Sequence, residues 1–229
     1  MNKQDDTENN FDLNFSMTDL MTSLMVIFIL LLVVTLSKIS NGGEQKRNSM
    51  VEHLRKAVNV KDYQNKKAGF EVIKDPDDPL SFIVNMDETN GLKFQSNKAE
   101  IIETSKPNLK KNYDLLLNYV CSPDVKKDID SIQIIGHTDI NPVLSDPKFG
   151  NLSLSQDRAL SVLKFGLYHV GVNSNKGKCL QELASINGRG AAEPKRTLEA
   201  SRRVEFKIRV KSYEQKRNIT NILEKKNDQ

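Results

Sequence analysis

One carboxylate stands where a carboxylate is costly. Asp19 is followed by Leu20 to Leu36, 17 residues without a charge, of which only Thr22, Ser23 and Thr35 are polar. An ionised side chain within a bilayer costs a few kcal/mol even on lenient insertion scales, so such residues usually face a partner helix or a water path. A carboxyl placed there can take up and release an ion. One elementary charge crossing 100 mV is worth about 2.3 kcal/mol, enough to bias a conformational step. The carried ion would be a proton, with sodium as the alternative. Thr22 and Ser23, at i+3 and i+4, would give the Asp19 face a polar lining. The other reading is an interfacial Asp19, with the span starting at Leu20.

The rest of the chain offers little for catalysis. No nucleophile–base–orienter set is visible and no cluster has metal-ligand spacing, so neither an enzyme nor a bound metal or cofactor is expected. Cys121 and Cys179 lack metal-ligand spacing; in an oxidising periplasm they can pair, and otherwise they are two unlinked thiols. The net charge is +4, from 34 Lys and Arg set among 30 Asp and Glu. With no basic patch interleaved with aromatics, nucleic acid is not an expected partner.

The elements that must hold these residues follow from pattern. Residues 1–13 read as a polar, disordered tail and 14–38 as one transmembrane helix, since Phe15 to Lys38 can cover a hydrocarbon core of about 30 Å. A cleaved signal peptide does not fit, because the leader is acidic and the apolar run ends without an Ala-x-Ala site. Asn41-Gly42-Gly43 reads as a break. It opens a linker over 39–67 in which Met50, Val51, Leu54 and Val58 fall at helical spacing.

A soluble domain is expected over 68–211, followed by a charged tail over 212–229. Strands are read at Phe70–Ile73, Ser81–Met86, Ile132–Ile135, Leu183–Gly188 and Val204–Val210, with helices near 105–119 and 155–170. That order predicts an α/β fold with helices packed on a mixed sheet. Lys38, Lys46 and Arg47 follow the span while only Lys3 precedes it, so charge alone would place the C-terminal domain in the cytoplasm.

Four motifs then recur in order: Gly136-His137-Thr138-Asp139, Asn151-Leu152-Ser153-Leu154-Ser155-Gln156-Asp157-Arg158-Ala159, Gly188-Arg189-Gly190 with Pro194, and Ser201-Arg202-Arg203-Val204-Glu205-Phe206. With Phe94-Gln95-Ser96-Asn97-Lys98-Ala99 upstream, the stretch 68–211 resembles the OmpA C-terminal family of peptidoglycan-binding domains. That resemblance implies a periplasmic domain, against the charge rule, and a ligand in the diaminopimelate stem peptide. A guanidinium grips a carboxylate bidentately and a carboxylate holds an ammonium. By the resemblance Arg158 and Asp139 fill those roles, and Asn151, Leu154 and Ser155 line the same pocket. Arg202 and Arg203 are read as fold-stabilising and His137 as scaffold. The plain alternatives are a turn at Thr138-Asp139 and a surface Arg158 paired with Asp157 or Glu182. The chain departs from the family in a long Ile140–Gly150 stretch with two prolines, and in Ser201 where Asn is usual.

Asp19-Leu20-Met21-Thr22-Ser23-Leu24-Met25-Val26-Ile27-Phe28 resembles the membrane motif of the flagellar stator family MotB, in which the Asp carries the ion. A single helix cannot enclose an ion path. The resemblance therefore implies a polytopic MotA/ZorA-like partner, in a ring of five copies around a homodimer of this chain in the inner membrane, N-terminus cytoplasmic. The short spacer and Ser16-Met17-Thr18-Asp19-Leu20-Met21-Thr22 look most like the ZorB subunits of Zorya anti-phage defence. A flagellar stator subunit and a passive membrane-to-wall tether are the alternatives. A TolR-like or ExbD-like energiser shares the membrane carboxylate but lacks the OmpA-like domain.

Overall fold

The computed structural model describes residues 5–59, 70–212 and 214–216. It divides into two compact units, Met1–Gly42 and Gly43–Gln229. Residues 60–67 of the expected linker and the tail from 217 lie outside the described residues.

The first helix, α1, runs from Asp5 to Asn59. The polar leader, expected to lack structure, is helical from Asp5. Within it Asp19–Leu36 has a mean hydropathy of 2.5 and is exposed along its length. At 1.5 Å per residue these 18 residues rise about 27 Å, long and apolar enough to cross a membrane.

No break occurs at Asn41-Gly42-Gly43, where α1 continues. The reason lies in the second unit. Gly43, Arg47, Met50, Val51 and Leu54 recur every three or four residues and are buried, the apolar three within the main core. Arg55 Nε donates to the Val72 carbonyl at 2.9 Å, and Lys46 pairs with Asp128 at 2.9 Å. The ring of His53 stacks on Tyr119 with centroids 4.2 Å apart. Residues 43–57, expected in a linker, are therefore part of the folded domain, and tertiary burial outweighs the weak helix propensity of glycine.

Five strands form one sheet: β1 (Glu71–Lys74), β2 (Ser81–Asp87), β3 (Ile129–His137), β4 (Ala184–Gly188) and β5 (Arg203–Val210), in the order β1-β2-β5-β3-β4. All neighbours are antiparallel except β3 and β4, which are parallel. The sheet is mixed, as expected. A parallel pair needs a helical crossover. Here it is α4 (Gly150–Val170) followed by α5 (Asn175–Leu183). Alternation sends Phe82, Val84 and Met86 of β2 and Val204, Phe206, Ile208 and Val210 of β5 into the core.

The helix α2 (Lys106–Val120) covers that core beside α4, and Tyr113 Oη donates to the Val162 carbonyl at 2.7 Å. Short helices α3 (Pro123–Lys126) and α6 (Leu198–Ser201) complete the fold. The helix α5 escapes a reading by period because Cys179 and Leu180 are its only buried apolar residues; Ser174 caps it, accepting from Gly177 N at 3.0 Å. Cys121, at the end of α2, and Cys179 are joined in a disulfide with their Cα atoms 5.9 Å apart.

Candidate ligand-binding cleft

The parallel pair β3–β4 sets the site. Crevices beyond the carboxyl ends of parallel strands are where α/β sheets bind ligands. At that end Gly136 pairs with Gly188. The ladder continues past the strands, with Arg189 N donating to the Gly136 carbonyl at 3.0 Å and Thr138 N to the Gly190 carbonyl at 2.9 Å. Thr138 and Asp139 are thus fixed by backbone bonds to the Gly188-Arg189-Gly190 segment. Gly190 sits at φ +55, which glycine adopts freely.

The first turns of α4 close over this pair. A Cβ on Gly136 would lie 1.9 Å from the Ser155 carbonyl oxygen, so glycine permits the approach of strand to helix. Ser155 is buried, donates to the Leu152 carbonyl at 2.7 Å and accepts from Gly190 N at 2.9 Å. It does not line the cleft, contrary to expectation. Its short hydroxyl is spent bracing the Gly190 turn that holds Thr138.

The cleft, about 500 Å3, is lined by Asp139, Asn151, Leu154 and Arg158 together with Glu88, Phe94, Thr138 and Arg202. A volume of that order holds an amino-acid-sized group. Asn151 Nδ2 donates to the carbonyls of Asn141 at 3.0 Å and Asp139 at 3.4 Å, holding the turn. Asp139 Oδ1 accepts from Asn141 N at 2.9 Å and Oδ2 from Arg202 Nη1 at 2.7 Å.

Arg158 is 4% exposed, and its guanidinium lies over the Phe94 ring, 5.0 Å from the centroid. Its Nε donates to the Lys98 carbonyl at 3.2 Å. Among the described residues it forms no ion pair, with neither Asp157 nor Glu182; Glu182 instead pairs with Lys126 at 2.6 Å. Burial works against the Arg158 charge, and the nearby Glu88 and Asp139 carboxylates offset part of that cost. A buried guanidinium without its own counter-charge is a seat for an anion.

Three residues escaped sequence reading. Glu88 grips Arg202 side-on, with Oε1 to Nε and Oε2 to Nη2 both at 2.7 Å. Glu88 follows β2 in a turn that Asp87 caps by accepting from Asn90 N at 2.8 Å. Phe94 belongs to the quoted upstream motif but was given no role there. Thr138 is 3% exposed, and its Oγ1 has no partner among the described residues. Arg202, expected only to support the fold, is also a wall of the cleft. No sequence pattern flags the Glu88 contact, because it spans 114 residues.

Behind the cleft lies a buried polar layer. Arg203, 1% exposed, donates through Nε to Glu205 Oε1 at 2.6 Å and through Nη1 to the Glu193 carbonyl at 3.0 Å. His137 Nε2 is 3.4 Å from Glu205 Oε2. Burial works to raise the Glu205 carboxyl, but His137 and Arg203 prevail and hold it down at about 2. His137 and Arg203 are buried in this layer and do not line the cleft.

In the first unit Thr22 Oγ1 donates to the Asp19 carbonyl at 2.9 Å, so its hydroxyl is turned to the backbone of its own helix. Asp19, Thr22 and Ser23 keep the i, i+3, i+4 spacing on α1. Among the described residues no group of His, Cys, Asp and Glu is placed to hold a metal.

No protein-family model and no curated protein matches this chain. Among solved structures it is similar to a periplasmic domain of MotB from Helicobacter pylori, at 18% identity and a TM-score of 0.48 over 74% of this chain and 93% of that one. It is similar to a protein described as MotB-like from Desulfovibrio vulgaris, at 18% identity and 0.49 over 76% and 98%. A third likeness is the cell wall anchor of the T6SS from Pseudomonas aeruginosa, at 21% identity and 0.44 over 72% and 97%.

Proposed function

We propose that this chain is a wall-anchored membrane subunit of an ion-driven motor, and that the cleft binds the free end of diaminopimelate in peptidoglycan. The observation that carries the anchor is Arg158, a buried guanidinium without an ion pair, in one cleft with Asp139. Such a pair suits a group carrying one carboxylate and one ammonium. Asn151 holds the Asp139 turn, Leu154 lines the wall, and Ser155 positions the cleft from behind.

The disulfide of Cys121 and Cys179 supports a domain on the oxidising, periplasmic side. We weigh it above the Lys and Arg count, which argues for the opposite orientation. The Asp19–Leu36 segment would be the single inner-membrane span, with Asp19 as carrier of a proton or a sodium ion. One helix needs others to enclose an ion path, so the reading includes a MotA/ZorA-like polytopic partner in five copies and a homodimer of this chain. The short spacer in the sequence between the span and the soluble domain favours Zorya-type defence over a flagellar stator with a long linker.

Pelleting purified peptidoglycan with the full-length protein tests the anchor. Wild type should sediment with the wall and Arg158→Ala should stay in solution. Equal sedimentation of the two would refute the cleft as the anchor.

A further inference from the structure

Building on that wall-binding reading, we propose that Glu88 sets the charge selectivity of the cleft, by holding Arg202 out of play as a ligand group. Arg202 meets Glu88 with two parallel bonds of 2.7 Å and Asp139 with one of 2.7 Å. A third carboxylate, Glu199, lies 3.8 Å away. Two opposed forks of this kind satisfy each other in geometry as well as charge. These side chains are sheltered, with 23% of Arg202, 14% of Glu88 and 12% of Asp139 exposed. Their mutual attraction is therefore screened far less than that of a surface pair.

The consequence is a cleft whose charges cancel. Glu88 and Asp139 contribute two negative charges, Arg158 and Arg202 two positive ones, and only Arg158 lacks a carboxylate partner. Such a site favours a group that brings both signs, and an anion without an ammonium would leave it negative. Without Glu88 the balance changes in two ways. The cleft carries one excess positive charge, and the freed side of Arg202 becomes a second seat for a carboxylate. Arg202 then also neutralises Asp139 alone, weakening its hold on an incoming ammonium. Glu88 is thus a positioning residue that acts on ligand choice through Arg202. It is also the largest charge supporting Arg158 against burial.

The test compares two probes on the full-length protein in detergent by calorimetry. The probes are meso-diaminopimelate and pimelate, which is the same carbon chain without the amines. Wild type should prefer diaminopimelate. Glu88→Gln should cut that preference by about tenfold or more, chiefly by tightening pimelate. The double variant Glu88→Gln with Arg202→Gln, which restores charge balance, should recover most of the preference. A role of Glu88 in the fold alone would not produce that recovery. An unchanged preference in Glu88→Gln, with wild type still binding diaminopimelate, overturns this proposal and leaves the wall reading intact. Wild type that binds neither probe overturns both. Should Glu88→Gln not fold, the double variant decides: a kept preference supports the proposal, and a lost one assigns Arg202 to the ligand and overturns it.

Discussion

Replacing both Cys121 and Cys179 by serine should destabilise the C-terminal domain by about 4 kcal/mol. The bond ties the end of α2 to α5 across a separation of 58 residues. Removing a cross-link that closes a loop of that length frees roughly 14 cal/mol/K of entropy in the unfolded chain, or about 4 kcal/mol at 25 °C. The folded state should change little, because Val120 and Leu180, beside the two cysteines, are fully buried in the core on their own account. The chain has no tryptophan, so the emission of its 5 tyrosines, of which Tyr113 is fully buried, is the natural fluorescence probe of urea unfolding. With a slope of about 2 kcal/mol/M, the midpoint should fall by about 2 M. Wild type under reductant should show a similar fall, with the serine variant somewhat lower because a hydroxyl at the buried position 179 costs more than a thiol. A midpoint unmoved by reductant or by the serines would refute the loop-entropy reasoning. Wild-type protein trapped in cells with both thiols free would remove the argument for an oxidising compartment.

Other consequences can be checked as directly. Ser155→Ala strands the buried Gly190 N–H, which should cost about 1–3 kcal/mol of stability and weaken ligand binding without removing a ligand contact. Equal affinity in that variant would show that the Gly190 turn holds Thr138 without help. Glu205, held at about 2 from an ordinary 4.5, contributes stability that is fully present above pH 4.5 and lost as the pH falls toward 2. Glu205→Gln should flatten thermal stability across that window, and a wild-type-like acid profile in the variant would contradict the His137–Glu205–Arg203 account. Asp19→Asn should leave membrane insertion and wall binding intact while abolishing the cellular activity; full activity in that variant would reduce the protein to a tether.

The strand β5 is legible because Arg203 to Val210 alternates polar and apolar residues, β2 because it holds the apolar run Phe82-Ile83-Val84, and α2 and α4 because they carry a plain helical period. The Gly42-Gly43 pair misled. Local propensity marks a break there, yet Met50, Val51 and Leu54 bury themselves in a core built from residues distant in the chain, which a local pattern does not register. The cleft divides in the same way. Asp139 and Arg158 stand in compact motifs, whereas Glu88 and Arg202 meet across 114 residues and carry no motif of their own. The family resemblance puts Ser155 in the cleft with Asn151 and Leu154; the helix turns its side chain inward to Gly190 instead.

The anchor stands or falls on Arg158, and its affinity for the free ligand group measures that directly. Calorimetric titration of the full-length protein with meso-diaminopimelate should give saturable one-site binding. Arg158→Ala, which removes the one guanidinium free to meet the ligand carboxylate, should weaken it by about 2–3 kcal/mol, or some thirty- to hundredfold. Undiminished affinity in Arg158→Ala, or no binding to the wild type at all, would contradict the account.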